Sequence, residues 1–155
     1  MDNIRKDIDL YRDTALRYCG YANEVGEALR PLIPKKVVHL SYGVAVAYVI
    51  GDCIDKTGKT YKKPKILGGQ QITEAAKTCG DVFLWQMLAS VIIPGFVINR
   101  VTWGTGYLMK RNKKLPSIAR KWLPTIVGLA AIPLIIRPID NAVDHAMDRT
   151  YRKYV

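Results

Sequence analysis

Three stretches of this chain carry no charge at pH 7: Val37 to Gly51, Val82 to Asn99 and Trp122 to Ile136, of 15, 18 and 15 residues. A surface helix of a soluble protein places charge every three or four positions, so that one face meets water. These blocks are apolar all round, which leaves a deep core or a bilayer as their surroundings. A perpendicular crossing takes about 20 residues, so each block must draw on its edges. Leu32, Ile33 and the stems of Lys35 and Lys36 extend the first, and Ile139 extends the third, with the basic heads reaching outward. Three such blocks would overfill the soluble core of a 155-residue chain. The bilayer reading is preferred.

Averages conceal this pattern. The chain is 49% hydrophobic and 24% charged, an ordinary soluble mixture, but its 24 Lys and Arg crowd between the blocks. Trp85, Trp103, Tyr107 and Trp122 lie near or just beyond block ends, where aromatic rings suit the headgroup region. Arg100 closes the second span. Pro94 and Pro133 fall inside the second and third blocks, where each removes a backbone donor and kinks its helix. Gly43, Ala47 and Gly51 recur every four residues and are candidate helix-packing positions, since small residues let two helices approach closely in lipid. Gly and Ala also fill space in any tight helix pair, and spacing alone does not choose between the two.

Ahead of the first block, Ile4, Ile8, Tyr11, Ala15, Tyr18, Ala22, Val25 and Leu29 alternate spacings of four and three. That stripe predicts one amphipathic helix ending near Arg30-Pro31. Seven Lys or Arg against six Asp or Glu through Lys36 leave it near neutral, suited to packing on protein rather than floating on anionic lipid. Asp2, Asp7 and Asp9 contradict an import presequence, and no apolar core of a secretory signal follows the start. The expected architecture is all-α, a small multi-pass membrane bundle forming one domain. It comprises an amphipathic helix over 3–30, short kinked spans over 32–51, 82–99 and 122–139, a Lys/Gly/Pro-rich loop over 52–81, a basic loop over 100–121, and a C-terminal amphipathic helix over 140–155. In that last helix Asp140 is the expected N-cap, and Ile139, Val143, Met147 and Tyr151 are expected to face the protein.

Motifs for chemistry fail on inspection. Gly58-Lys59-Thr60 matches the end of a phosphate-binding loop, but Cys53 stands where the pattern needs glycine, and no strand precedes it. Asp140, Asp144 and Asp148 recur four apart, which fits a solvated acidic face with Asp148 one turn before Arg152 better than a hard-metal site. Asp52 and Asp55, ending the first span, read the same way. Cys19, Cys53 and Cys79 show no metal spacing and no nucleophile constellation. Apart from His39, expected to be a buried and satisfied imidazole, no ionisable group lies within a block. No catalytic residue, cofactor, metal or small-molecule substrate is therefore expected. The net charge of +11 invites nucleic acid, yet the basic residues flank apolar blocks and no element interleaves them with aromatics, so nucleic acid is not an expected partner. The expected partners are other membrane proteins or a large membrane complex, together with anionic lipids such as cardiolipin. The candidate lipid contacts are Lys35, Lys36, Arg100, Lys110, Arg111, Lys113, Lys114, Arg120 and Lys121.

Residues 9–56 (DLYRDTALRYCGYANEVGEALRPLIPKKVVHLSYGVAVAYVIGDCIDK), 85–100 (WQMLASVIIPGFVINR) and 120–149 (RKWLPTIVGLAAIPLIIRPIDNAVDHAMDR) closely resemble the mitochondrial fission process protein family. The resemblance implies an integral multi-pass protein of the mitochondrial inner membrane, required for normal fission and without enzymatic activity. It supplies no active-site residues. The Lys-rich KKPKILGGQQ departs from the family pattern. Two classes of role remain: a scaffold coupling division of the inner membrane to the outer machinery, and a structural accessory subunit of a respiratory or ATP-synthase assembly. Counting Lys and Arg, 14 fall on the N-terminal segment and second loop and 10 on the first loop and tail. For three spans this bias predicts the N-terminus and second loop in the matrix.

Overall fold

The computed structural model describes residues 10–11, 14–62, 70–112 and 114–155. Ile4, Ile8, Lys113 and the 63–69 portion of the expected first loop lie outside these residues. The described chain is all-α: a 3-10 turn at Ala15–Tyr21, then α1 (Ala22–Leu29), α2 (Lys35–Tyr61) and α3 (Gln70–Gln86). A π-helical turn at Met87–Ile92 leads into α4 (Ile93–Arg111), followed by α5 (Ser117–Arg149) and α6 (Tyr151–Tyr154). Three helical runs, Lys35–Tyr61, Gln70–Arg111 and Ser117–Tyr154, are long and apolar enough to cross a membrane.

The helices outrun the apolar blocks, which corrects both expected loops. α2 continues past Gly51 because its charges pair along the helix: Lys56 with Asp52 at 2.8 Å and Lys59 with Asp55 at 2.6 Å, each one turn apart. Residues 70–81 belong to α3 and residues 100–111 to α4, so the turn between the last two spans is confined to 112–116. Pro94 is accommodated by the π turn before it. Its missing N–H orphans a carbonyl one turn back, and the wider turn absorbs that defect. α5 runs unbroken through Pro124, Pro133 and Pro138, so Asp140 is an interior helical residue rather than an N-cap. Val143 and Met147 are buried, with Ile139 and Tyr151 packed against them, as the spacing predicts.

α2 and α3 form one antiparallel hairpin, with Cys53 beside Cys79, and α4 and α5 form another, with Gly128 against Thr102. The N-terminal segment fills the groove between them. Its polarity is the reverse of the expected stripe: Asn23, Glu24, Gly26, Glu27 and Ala28 are buried, while Tyr18 and Val25 face outward. The bundle as a whole has this inverted character, with Leu40, Phe96 and Leu134 exposed on its outer surface. Such a distribution suits lipid outside, where apolar side chains lose nothing by exposure and polar ones must find partners within.

Contacts along the N-terminal segment give its direction. Tyr11 packs edge-to-face on Tyr48, Gly26 abuts Ser41, and Arg30 lies at the cleft between the far ends of α4 and α5. The segment thus runs antiparallel to α2 along the bundle. Tyr11 sits at the level of Tyr48 and Gly51, on the side of the bundle away from the 112–116 turn.

Candidate functional site: a buried polar seam and a basic end

Polar groups meet in three places, two inside the bundle and one on its surface. At the centre of the first is Glu27, only 2% exposed. Its carboxylate accepts from Arg30 Nε and one terminal nitrogen (2.6 Å each), from Tyr42 Oη (2.9 Å) and from Asn99 Nδ2 (2.9 Å). One acid therefore ties α1 to both α2 and α4. Burial raises the carboxyl's pKa, but the hydrogen bonds from Arg30, Asn99 and Tyr42 together outweigh it and hold Glu27 below the usual range. Beside it, Asn23 donates to the carbonyl of Val91 at 3.0 Å, inside the π turn.

The second meeting place joins α2 to α3. Asp52 is fully buried and accepts from Lys56 and from Gln86 Nε2 at 2.7 Å, while Gln86 Oε1 accepts from Ser90 Oγ at 2.7 Å. The solvated role expected for Asp52 is corrected here: Gln86 gives it a partner inside the bundle. The third lies at the C-terminal end, where the Arg152 guanidinium binds Asp81 through two nitrogens (2.6 and 3.1 Å) and also Asp144 and Asp148. The expected Asp148–Arg152 pair is present, and Asp81 adds a clasp from α5–α6 onto α3.

Between these sites is a cavity of about 290 Å³ lined by Glu24, Asp140, Arg17, Gln86 and Ser90. Glu24 is 1% exposed, and its Oε2 has no hydrogen-bond partner. Burial, and secondarily the negative charge of Asp140, push its pKa up to about 8. The ionisable group facing a cavity, which the apolar blocks lack, thus comes from α1.

The basic residues gather at the opposite end. Lys35 and Lys36 are exposed at the start of α2, and Arg100 is exposed with its guanidinium 5.1 Å from the Phe96 ring centre. Lys110, Arg111 and Lys114 are exposed around the α4–α5 turn. Lys110, Arg120 and Lys121 share a cleft of about 610 Å³ between α4 and α5, walled by Trp103 and Tyr107. Lys35, Lys36 and Arg100 do not line it.

The small-residue candidates disperse. Gly43 has nothing within 4 Å of an added Cβ and Ala47 is exposed, whereas Gly51 lies against Tyr11. Close approach within the chain occurs instead at Gly26 against Ser41, Gly95 against Tyr42 and Asn23, and Gly128 against Thr102 and Ala28. His39 is exposed rather than buried. Among the described residues, no three His, Cys, Asp or Glu side chains could hold a metal ion. Sequence reasoning passed over Glu27, Glu24, Asn23 and Asn99. Their signal was the run Asn23, Glu24, Glu27, a polar face three and four residues apart on a segment lying against apolar spans.

These features define an all-α bundle with three helical runs long and apolar enough to cross a membrane, closed among the described residues by a polar N-terminal segment. The mitochondrial 18 kDa protein family model matches residues 8–78 and 70–147, and the chain belongs to that family. It is 50% identical over 145 residues to mitochondrial fission process protein 1 of Homo sapiens, covering 94% of this chain and 87% of that protein. Identity to the Caenorhabditis elegans protein of the same name is 49% over 150 residues, covering 97% and 89%. To that of Danio rerio it is 46% over 155 residues, covering 98% and 92%. No solved structure matches the chain. These relatives are named for the process of mitochondrial fission.

Proposed function

We propose that this chain is an integral protein of the mitochondrial inner membrane that supports fission as a non-enzymatic scaffold, in contact with other inner-membrane proteins. Glu27 is the observation that carries this reading. Its carboxylate spends its hydrogen bonds on Arg30, Tyr42 and Asn99, a structural use that fixes the N-terminal segment against two helices. Membership of a family whose relatives are named for fission supports the process. The basic end, rich in Lys and Arg at the start of α2 and around the α4–α5 turn, suits the matrix side and its anionic headgroups.

A second reading, an accessory subunit of a respiratory or ATP-synthase assembly, draws on one observation. Gly43 and Ala47 face outward, open to close approach by a helix of another protein. Blue-native electrophoresis of mitochondria solubilised in mild detergent separates the two. A distinct, smaller assembly supports the scaffold, and co-migration with a respiratory complex supports the subunit. Release from membranes by high-pH carbonate would contradict both.

A further inference from the structure

We propose that the cleft between α4 and α5 binds the phosphate-bearing headgroup of an anionic phospholipid. Lys110 enters it from the last turn of α4, and Arg120 and Lys121 enter it from the first turns of α5. Among the described residues none of the three is paired with a carboxylate, whereas Arg30, at the rim, is already held by Glu27. Two residues that line the same space carry orphan polar atoms. Arg120 Nε is buried without an acceptor, and the hydroxyl of Thr102, a residue 4% exposed, has no partner. The cleft also receives the start of a 33-residue helix. Pro116, at the cap position, leaves the amides of that first turn without a side-chain acceptor, and Ser117 lines the cleft. An uncapped helix N-terminus and convergent cations are the chemistry that holds phosphate.

The walls select a lipid over a soluble phosphate ester. Trp103 and Tyr107 stack with ring centres 5.9 Å apart and are both exposed, as are Leu108, Ile118 and Trp122 on the same hairpin. Aromatic rings beside cations are the composition of a headgroup region, and the outward apolar residues give acyl chains a surface to follow. The inference rests on the membrane reading, but it is tested in detergent, where binding can fail while carbonate extraction still shows an integral protein.

The test is thermal unfolding of the full chain in neutral detergent, titrated separately with cardiolipin, phosphatidylcholine, inorganic phosphate and glycerol phosphate. Cardiolipin is expected to raise Tm saturably, and the other three to leave it unchanged. In Lys110→Gln/Lys121→Gln, which alters two exposed side chains, the apparent Kd should weaken roughly tenfold or more, since each such cation is worth on the order of fivefold. Arg120→Gln should weaken it roughly fivefold, and Lys35→Gln/Lys36→Gln, outside the cleft, should retain it. Equal loss in the Lys35/Lys36 variant would show diffuse charge attraction and overturn the site. Unchanged binding in the Lys110/Lys121 variant would overturn it too, and a matching Tm rise with inorganic phosphate or glycerol phosphate would overturn the lipid assignment.

Discussion

Asn99 donates a hydrogen bond to Glu27 at 2.9 Å across 72 residues of sequence, from the last position of the second apolar block to the middle of α1. The bond explains why an otherwise apolar block carries an amide there. Replacing Glu27 with Ala leaves Tyr42 and Asn99 without their acceptor and should lower stability by about 3 kcal/mol, whereas Asn99→Ala should cost about 1 kcal/mol. Denaturation of both single variants and the double variant in detergent reads the coupling. Additive losses would mean that the contact does not hold α1 to α4.

Glu24 and Glu27 give opposite pH dependences. Glu24 has a folded pKa raised to about 8, so its stabilising contribution is full below its ordinary value near 4.5 and is lost as pH rises toward 8. Glu27 is depressed, so its contribution is present above the ordinary carboxylate range and is lost as pH falls through its folded value. Between about pH 5 and 8 the Glu24 effect governs, and Tm in detergent should fall across that window. Glu24→Gln should flatten the fall. An unchanged slope in that variant would place its origin elsewhere.

At Gly128, an added Cβ would lie 2.8 Å from Thr102 Oγ1 and 3.2 Å from Ala28 Cα, and that backbone atom cannot swing aside as a side-chain tip can. Gly128→Ala should cost about 1–3 kcal/mol of stability. Gly43→Leu should leave the isolated protein within about 0.5 kcal/mol, because nothing lies within 4 Å. If Gly43→Leu instead disrupts a native assembly in blue-native gels while Tm is retained, the outward small-residue face is an intermolecular contact.

Cys53 Sγ and Cys79 Sγ approach to 3.0 Å as free thiols across the α2–α3 hairpin. Mild oxidation should join them and shift the migration of the full chain on non-reducing gels, and Cys53→Ser or Cys79→Ser should abolish that shift. Cys19→Ser should not. A shift that survives Cys79→Ser would contradict the observed hairpin register.

The three spans were legible because exclusion of charge is a property of sequence alone, and Val143 and Met147 were legible because the α5–α6 face has an ordinary apolar interior. The N-terminal segment was legible as a helix former that packs on protein, but its buried face was reversed. Amphipathic reasoning assigns Tyr18 and Val25 inward on the premise that polar groups face outward, whereas this bundle exposes Leu40, Phe96 and Leu134 and buries Asn23, Glu24 and Glu27. The same premise hid Glu27 and Asn99, whose partners are supplied by segments distant in sequence. Residues 52–61 and 100–111 read as loops because charge normally ends a span, yet local ion pairs sustain the first as helix.

Tyr11 and the segment from Thr14 to Arg30 run antiparallel to α2, so that Tyr11 and the C-terminal residues both lie away from the basic α4–α5 turn. Protease accessibility of epitope tags in mitoplasts tests this directly, with tags placed before residue 1, after Val155 and within residues 112–116. Cleavage of both terminal tags from outside the mitoplast, with the 112–116 tag protected until the membrane is dissolved, is the expected result. An N-terminal tag protected together with the 112–116 tag, while the C-terminal tag is cleaved, would contradict the account.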